Sequence, residues 1–557
     1  MLLIVGWDGA SANLLEPMVQ AGKMPNFARL RSQGLWGTVL APWPPVTFPS
    51  WTTFMTGVNP GRHGIFDFTR REPGAYRVHF VNSTWRRAPS IWSRLSAAGK
   101  RVCILGLPAT YPPEPVNGVM ICGFDTPVTT RVDRSFVYPP EEADGVLQAG
   151  GFPFADFQEF RVDRAWYAKA RSRLLQGIAQ KVRVAERFLR RERWDVFFLL
   201  FGESDTVAHH FWHFADPGSP FAPACAGMPV GNVVGEIYEA LDDALGTLQG
   251  LAGDAQVLVL SDHGFGGVAG TRVHLNRWLE RHGWLRFSNE VRVGNVLGSL
   301  KPFMLRAVPS KLQRALFALR GGRWSNAMET SARFAGIDFR RSAAFSEELG
   351  YFPSIWLNVQ GRDPLGVVAW RDYDQFRRTI RDALLAWRHP ESGGPLVRRV
   401  WFREELYVGP YVEEAPDLIL ELSEEGGGYA VLAASSQGRS GPEVTQLDLR
   451  AWRGGKLHGL SGSHRREGIF ALTGPGISGS REKLTVAMEQ FAPTILELCG
   501  VRDPTQFFDG ETFAHVVSEP AWIAHAETLM PVSARRVYTE EEEAEISKRL
   551  EDLGYFS

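Results

Sequence analysis

Short apolar runs recur along this chain and alternate with stretches of helical periodicity. The runs read LLIVGWD, KRVCILGLPAT, GVMICGFDTP, WDVFFLLFGESD, AQVLVLSDHGF and REGIFALTGPG. Helical patterns lie between them, the longest over Tyr167–Arg193 and Val233–Gly253. Unbroken apolar strands that alternate with helices are typical of parallel sheets buried on both faces. The pattern therefore predicts an α/β fold with a mostly parallel central sheet and helices on both faces.

Composition narrows the class of protein without defining it. The chain has 557 residues, of which 44% are hydrophobic and 22% are charged, as in ordinary globular proteins. Lys and Arg number 61 against 62 Asp and Glu. This neutral balance argues against a nucleic acid polymer or an anionic membrane as the main partner. No apolar run reaches the roughly 20 residues that span a bilayer, so we expect no membrane span.

The cysteines and the N-terminus indicate a cellular compartment. None of the four cysteines forms a C-x-x-C pair, and their scattered positions do not suggest a disulfide framework. Cys103 and Cys122 lie in apolar runs, where buried free thiols are expected. The N-terminal MLLIVGWDGA lacks the basic region of a signal peptide. We therefore expect a reducing, cytoplasmic location.

Two regions interrupt the alternation of strands and helices. Residues 284–340 are rich in Leu, Phe, Arg and Lys without a strand pattern, which predicts a helical insertion or lid. Residues 521–557 form a C-terminal tail with a helical pattern. The catalytic α/β core would then consist of two parts, residues 1–283 and residues 341–520.

The tail carries its own helix signal. Thr539 and Glu542 have the spacing of a capping box. Ile546, Leu550 and Leu553 follow as a narrow apolar stripe. We expect a C-terminal helix there, packed on the core.

Three of the predicted strands end in an acidic residue. Asp8 follows the first run, Asp205 lies in GESDTVAHH, and Asp262 lies in SDHGF. In open α/β sheets, functional sites lie beyond the carboxyl ends of the strands, so these carboxylates are expected to meet. Three histidines accompany the acids or precede the last strand, namely His209, His263 and His464.

Each of these residues alone has a structural explanation, because an Asp after a strand often caps a helix and a single His is often a packed residue. As a set they predict a pair of divalent ions, since Asp and His suit zinc or manganese. Asp205 and His209 are four residues apart, so they share a face if a helix begins there. His210 competes with His209 on sequence alone. His213, one further turn along, is expected to be either a residue that supports the ligands or a packed surface histidine.

The stretch PPVTFPSWTTFMTG, from Pro44 to Gly57, combines hydroxyl residues with prolines and aromatics and carries no charge. Ser50 is a candidate N-cap, so a short helix is expected to begin there. Thr47 lies just before that point. Backbone N–H groups at the start of a helix are suited to binding phosphoryl oxygens.

The ordered set Asp8, T47-F-P-S, D205-x3-H209, D262-H263-G264 and His464 resembles the alkaline phosphatase superfamily. Within it, the chain is similar to the type I phosphodiesterase/nucleotide pyrophosphatase branch. The resemblance covers the chain from Met1 to about Gly500, with a loose match between Gly264 and Leu460. It implies that Thr47 is the nucleophile and that two divalent ions are bound, with zinc the first choice and manganese the second. It assigns one ion to Asp8, Thr47, Asp262 and His263. It assigns the other ion to Asp205, His209 and His464.

The resemblance implies a two-metal phosphohydrolase that acts on a small phosphate ester. It would cleave a phosphodiester, phosphoanhydride or phosphomonoester through a phosphothreonyl intermediate at Thr47, with the branch favouring diesters and anhydrides. Many relatives carry an Asn that touches the phosphoryl group where this chain has Phe68. Arg70 and Arg71 either supply that contact or form a solvated pair.

Other functions fit the residues less well. A sulfatase would carry Cys or Ser in C/S-x-P-x-R, whereas this chain has T47-F-P-S-W51 without the Arg. A metal-dependent phosphotransferase of the phosphoglycerate mutase-like branch shares the metal ligands but uses Ser and an inserted domain between nucleophile and later ligands. A non-catalytic scaffold that binds phosphate would show a gap among the ligands, and the sequence shows none.

Overall fold

The computed structural model describes residues 1–127, 134–154, 164–225, 230–288, 334, 336–348, 352–425, 428–435, 441–447, 460–480, 482–502, 507–514, 521–522 and 538–553. Most of the predicted insertion at 284–340 lies outside the described residues. The domain boundaries therefore stay a prediction.

Twenty-two strands are found in the described residues. In chain order they are β1 (Leu2–Trp7), β2 (Leu35–Leu40), β3 (Thr69–Arg71), β4 (Val78–Phe80), β5 (Val102–Leu107), β6 (Gly118–Cys122), β7 (Val137–Tyr138), β8 (Val196–Phe201), β9 (Gln256–Leu260), β10 (Gly264–Val273), β11 (Ala344–Phe345), β12 (Ser354–Leu357), β13 (Val397–Phe402), β14 (Leu418–Leu422), β15 (Glu424–Glu425), β16 (Gly428–Leu432), β17 (Val444–Gln446), β18 (Gly462–Arg465), β19 (Glu467–Thr473), β20 (Leu484–Ala487), β21 (Val501–Arg502) and β22 (Ala521–Trp522).

Fourteen α-helices accompany them in the same residues. They are α1 (Ala12–Gln20), α2 (Pro25–Gln33), α3 (Thr47–Thr56), α4 (Pro60–His63), α5 (Ile91–Ala97), α6 (Glu142–Gln148), α7 (Arg164–Arg191), α8 (Glu203–Ala215), α9 (Val233–Ala252), α10 (Leu275–Arg281), α11 (Trp370–Leu385), α12 (Arg403–Leu406), α13 (Phe491–Leu498) and α14 (Glu540–Leu553). None of the helices in the described part of the chain is long and apolar enough to cross a membrane.

A nine-stranded sheet forms the centre of the molecule, in the order β20-β2-β19-β9-β1-β8-β5-β6-β7. Five of its eight neighbouring strand pairs are parallel. The other three pairs are antiparallel, because β19 runs against both of its neighbours and β7 runs against β6. Every residue of β1, β5 and β8 is buried. The predicted α/β fold with a mostly parallel central sheet is confirmed.

Helices cover both faces of this sheet, as predicted. The side chains of β1 alternate between two apolar cores: Leu3 and Val5 point to one, and Leu2 and Ile4 point to the other. The first core is closed by α1, α2, α7, α8 and α9. The second is closed by α3, α5 and α13. Burial on both faces explains why the strands read as unbroken apolar runs.

Two smaller sheets lie after the strand β9. The first has the order β15-β16-β10-β17, and β18 pairs with β10 beside this path. The second has the order β11-β12-β14-β13 and packs with α10 and α11 around a separate apolar core. The first of these sheets matters for function because β10 begins directly after the third strand-end acid.

The C-terminal helix α14 packs on the body of the molecule, as predicted. Its capping box forms, with the Thr539 N–H donating to Glu542 at 2.7 Å and the Glu542 N–H donating to the Thr539 hydroxyl at 3.3 Å. Ile546 and Leu550 are buried in a shared apolar cluster. The Arg549 side chain donates to a backbone carbonyl of the core at 2.7 Å.

The thiols of Cys103 and Cys122 are free and buried, as predicted. Burial raises the pKa of both thiols well above the ordinary value. They are therefore packed side chains and not reactive nucleophiles.

Candidate active site

The three acids at strand ends meet because their strands are neighbours. The central sheet places β9, β1 and β8 side by side and parallel. Asp262 follows β9 by one residue, Asp8 follows β1 directly, and Asp205 lies in the first turn of α8 after β8. All three carboxylates are at most 1% exposed. The structure thus brings them together at the carboxyl edge of the sheet.

Thr47 is the first residue of helix α3, and the prediction that this helix begins at Ser50 is wrong. Val46 is the N-cap, and the Ser50 N–H already donates to the Val46 carbonyl at 3.0 Å. Pro49 is tolerated in the first turn because the N–H that proline lacks would have no partner within the helix. The earlier start places the Thr47 hydroxyl, which is fully buried, at the positive end of the helix.

The histidines come from two different elements. His209 lies one turn after Asp205 on α8, so both face the same side as the spacing predicted. His464 lies on β18, which pairs antiparallel with β10 so that His464 stands opposite Phe265. That pairing carries a residue from far along the chain to the end of β9.

The first group of side chains surrounds the Nε2 atom of His263. This atom lies 3.3 Å from the Thr47 hydroxyl, 3.5 Å from Asp8 Oδ1 and 3.4 Å from Asp262 Oδ2. Ligand atoms about 2.0–2.1 Å from a tetrahedral ion are roughly 3.3 Å apart. The distances from His263 Nε2 to the other three residues are therefore close to the spacing of ligands around such an ion, and Asp8, Asp262 and His263 form a group that could hold one.

The second group is a triangle of Asp205, His209 and His464. The Nε2 atoms of the two imidazoles are 3.0 Å apart, and they lie 3.4 Å and 3.2 Å from Asp205 Oδ1. His263 also lies near Asp205, but its Nε2 atom is 4.0 Å from the same oxygen. We therefore place His209 in this group, because its ring nitrogen is closer to Asp205.

The two other histidines of α8 contact aromatic side chains away from these two groups. His210 packs against Trp166, with ring centroids 5.6 Å apart, and His213 packs against Phe214 at 4.1 Å. His213 is 2% exposed, so the expectation of a surface histidine is wrong. Burial lowers the pKa of His213 to about 3, which keeps its ring neutral.

The hydrogen bonds of the three clustered imidazoles fit a cation site. Each Nδ1 faces a backbone carbonyl, that of Gly264 for His263, Gly462 for His209 and Pro45 for His464, at 3.0, 3.0 and 2.9 Å. A carbonyl accepts only, so each ring donates from Nδ1, and a neutral ring in this arrangement presents its lone pair at Nε2. The His209 and His464 Nε2 atoms lie 3.0 Å apart, so two neutral rings would bring their lone pairs together, and a bound cation would relieve that repulsion.

The carboxylates also indicate a cation site. Within the described residues, Asp8 Oδ1, Asp262 Oδ2 and both side-chain oxygens of Asp205 are buried without a hydrogen-bond partner. Buried charges are normally paired or coordinated to a metal. The donor set of carboxylates, imidazoles and one hydroxyl therefore fits two divalent cations.

Electrostatics differ between the two groups. Burial, and then the neighbouring carboxylates, raise the pKa of Asp8 well above its ordinary value. Burial also raises the pKa of Asp262. Burial raises the pKa of Asp205 as well, but the charge and the N–H donation that His209 and His464 supply when protonated outweigh burial and lower that pKa overall. Without a cation, negative charge is therefore less favourable in the first group than in the second.

Two contacts of Asp8 were not predicted from the sequence. The Trp51 indole Nε1 donates to Asp8 Oδ2 at 3.1 Å, and the Ser204 hydroxyl donates to the Asp8 carbonyl at 2.7 Å. Trp51 lies one helical turn after Thr47 on α3. The four-residue spacing of Thr47 and Trp51 is the signal that could have suggested this contact.

The segment after α4 is packed against the core and the lobe around β14. Phe68 is buried, and its ring packs 4.6 Å from that of Phe48, the residue after Thr47. The expectation that Arg70 and Arg71 form a solvated pair is wrong. Arg71 pairs with Asp363, and Arg70 lies 2.9 Å from Glu414 with its side chain 10% exposed.

Solved structures are similar to this chain. The phosphonoacetate hydrolase of Sinorhizobium meliloti 1021, in complex with phosphonoformate, has a TM-score of 0.50 at 17% identity and covers 89% of this chain and 95% of its own. The human ectonucleotide pyrophosphatase / phosphodiesterase 5 has a TM-score of 0.48 at 14% identity and covers 90% of this chain and 94% of its own. No curated protein matches the chain significantly.

The likeness to the phosphonoacetate hydrolase identifies an alkaline phosphatase-like α/β fold. The family then follows from the sequence itself: the model of type I phosphodiesterase / nucleotide pyrophosphatase matches residues 2–443, so the chain belongs to that family. The protein is a hydrolase that acts on phosphoric ester bonds. His464 lies beyond the matched residues, and the pairing of β18 with β10 brings it to the other six.

Proposed function

We propose that this protein is a two-metal phosphohydrolase that cleaves a small phosphate ester through a phosphothreonyl intermediate at Thr47. One observation carries the proposal. A buried threonine hydroxyl at the start of a helix lies 3.3 Å from His263 Nε2, within a cluster of three carboxylates and three imidazoles. The candidate ligands are the seven residues Asp8, Thr47, Asp205, His209, Asp262, His263 and His464.

Charge balance supports two divalent ions. The three carboxylates and a threonine alkoxide carry four negative charges, and an imidazole that binds a cation through the Nε2 lone pair adds no charge. Two divalent cations neutralise this cluster. Zinc is the first choice because Asp and His are its usual ligands at these spacings, and manganese is the second.

The ions, when bound, would supply the positive charge that lowers the pKa of the Thr47 hydroxyl and stabilises the leaving oxygen. The Thr47 oxygen gives up its proton to solvent and attacks phosphorus in line, the bond between phosphorus and the leaving oxygen breaks, and the leaving oxygen takes up a proton from solvent. The first-turn N–H groups of α3 have no partners within the helix and are suited to the phosphoryl oxygens. Water then breaks the bond between phosphorus and the Thr47 oxygen, which regains its proton.

The segment between Thr47 and Asp205 favours hydrolysis over the phosphotransferase alternative. A mutase-like enzyme would place an inserted domain there. In the described part of this segment, β5, β6 and β7 belong to the central sheet and α7 packs on it. The segment is therefore part of the core.

The test is hydrolysis of bis(4-nitrophenyl) phosphate by purified protein with added zinc or manganese, with EDTA as the metal-free reference. Thr47→Ala should reduce the rate below detection while metal content stays near two per chain, because the other six ligands remain. Thr52→Ala is the matched control: Thr52 lies on the same helix, and its buried hydroxyl has no hydrogen-bond partner among the described residues.

Two outcomes would contradict the proposal. Full activity in Thr47→Ala would show that water attacks phosphorus directly. Absence of hydrolysis in the metal-loaded wild type, on both the diester and 4-nitrophenyl phosphate, would favour a phosphate-binding scaffold. The ratio of the two rates tests the finer proposal that diesters are preferred.

A further inference from the structure

A small cavity lies beside the segment that leads to Thr47. Its volume is about 40 Å³, which is room for roughly three water-sized groups. Pro44 and the segment from Gly64 to Arg71 form one wall, and residues between Glu347 and Ile419 form the other. The cavity thus lies between the core and the lobe built on β12 and β14.

The cavity is close to the catalytic cluster in the chain and in space. Pro44 is three residues before Thr47, so the two lie within ~10 Å of each other. The next residue, Pro45, accepts a hydrogen bond from His464 Nδ1 at 2.9 Å. None of the seven cluster residues lines the cavity, so Pro44 and Pro45 connect the two, and we take the cavity to receive a group attached to a phosphorus at Thr47.

Arg70 is the cavity residue that points to a ligand. Its side chain is nine-tenths buried, and its Nη2 atom lies 2.9 Å from Glu414. Among the described residues, neither Nε nor Nη1 of Arg70 has a hydrogen-bond partner. A buried guanidinium with two unused donors is costly unless a ligand accepts from it.

The remaining charges of the cavity exclude a polyanion. Arg70 and Arg71 face three lining carboxylates, those of Asp67, Glu347 and Glu414. Arg71 is further neutralised by Asp363. A second phosphate would be buried against these carboxylates without an excess of positive charge.

The same lining suits hydroxyl groups. A hydroxyl accepts from Arg70 and donates to Glu414, so it satisfies both kinds of partner. Phe66, Trp356 and Tyr407 supply aromatic faces for the carbon skeleton, and the rings of Phe66 and Tyr407 lie 4.9 Å apart. Pockets of this kind orient a ligand with few polar groups among aromatic ones.

We infer that the cavity binds an uncharged, hydroxyl-bearing group of the substrate, so that the enzyme acts on phosphate esters of a small polyol. Arg70 recognises the hydroxyls, and Glu414 holds Arg70 in place and accepts from them. The inference rests on the proposed function, because it takes Thr47 as the position of the phosphorus.

The test measures binding to the zinc-loaded Thr47→Ala chain by titration calorimetry. Glycerol 3-phosphate should bind at least tenfold more tightly than methyl phosphate, which lacks the hydroxyls. Adding Arg70→Met should reduce this ratio below twofold, because the affinity for glycerol 3-phosphate falls more than that for methyl phosphate. Arg77→Met is the matched control, because Arg77 lies between β3 and β4, the strand pair that contains Arg70, and its side chain is 58% exposed. This variant should keep the tenfold ratio.

The outcomes separate this inference from the proposed function. A ratio near one, or a ratio that Arg70→Met leaves unchanged, overturns the polyol pocket while hydrolysis of the aryl diester by the wild type stands. Tighter binding of phosphoglycolate than of glycerol 3-phosphate overturns the choice of an uncharged group. If Arg70→Met does not fold, Glu414→Met replaces it and should also reduce the ratio, because the acceptor for the hydroxyls and the ion-pair partner of Arg70 are both lost.

Discussion

His263 connects the two groups of the catalytic cluster. Its Nε2 atom lies within 3.5 Å of an atom of Asp8, Asp262 and Thr47 and 4.0 Å from Asp205. Its ring also stacks on that of His464, with centroids 3.7 Å apart. A displacement of this imidazole would therefore disturb the nucleophile and both groups at once.

Trp51 is expected to hold Asp8 in its ligating position. Trp51→Phe keeps a ring in the core but removes the 3.1 Å hydrogen bond to Asp8. Loss of such a supporting contact should weaken the binding of one ion about tenfold, which competition with a chromophoric chelator would measure. Trp92→Phe is the control, since Trp92 packs in the same core and its indole nitrogen has no hydrogen-bond partner among the described residues. Equal metal affinity in both variants would show that Trp51 serves only to pack.

His464 should control one ion more than the other. It is close to Asp205 and His209 and contributes a third of that group, so His464→Ala should leave one ion tightly bound and the other weakly bound. We expect a cooperative melt, loss of most of the hydrolytic rate and partial recovery in excess zinc. Elemental analysis of the dialysed protein measures the ions directly.

His282→Ala serves as the control for this variant, because His282 is an exposed histidine outside the cluster. It should retain both ions and the full rate. If His464→Ala behaves in the same way, His464 is not a ligand and His458, which lies outside the described residues, is the next candidate.

At the scale of elements, the sequence could predict that the ends of β9, β1 and β8 meet. It could not predict that β18 pairs with β10. Apolar runs that end in Asp are local signals, and parallel strands share one carboxyl edge. The pairing of His464 with Phe265 joins residues almost two hundred positions apart, and no local pattern reports such a contact. The preference of Ser for N-caps predicts that α3 begins at Ser50. The helix begins at Thr47 instead, because Pro49 is tolerated in a first turn.

Helix α3 also depends on how it ends. Gly57 caps it in the left-handed region, with φ of 67°, and a Cβ there would lie 2.5 Å from Phe508 and 2.8 Å from Ala492. Gly57→Ala should therefore reduce the free energy of unfolding by about 3 kcal/mol, from backbone strain and overpacking together. Denaturant unfolding of the metal-loaded protein measures the change.

Gly99→Ala separates the two causes. Gly99 has a φ of 74°, but a Cβ there would meet no described atom within 4 Å. This variant should cost only the backbone strain, about 1 kcal/mol. Equal losses in the two variants would show that crowding at Gly57 is relieved by movement of Phe508.

At the scale of the whole molecule, the active site is a product of long-range packing. The core supplies the strand ends and α3, while the lobe around β12 and β14 closes the cavity at Arg70. The sequence alone could not show that Arg70 is buried, because its partner Glu414 lies more than three hundred residues further along. Local charge patterns therefore suggested a solvated pair where the fold makes a lined cavity.

Metal binding should stabilise the entire fold, because the cluster joins three strand ends, a helix start and β18. Three buried carboxylates face one another there, and the pKa of Asp8 and of Asp262 is raised by burial, so a chelated protein retains this strain. An ion present at a hundred times its Kd stabilises the native state by about 2.7 kcal/mol. We therefore expect Tm to fall in EDTA and to return on addition of zinc, as measured by differential scanning calorimetry.

The double variant Asp205→Asn with Asp262→Asn, which weakens both groups, should lose most of this zinc-dependent shift. A shift of equal size in that variant would place the stabilising ion elsewhere and would remove the main physical support for the two-metal site.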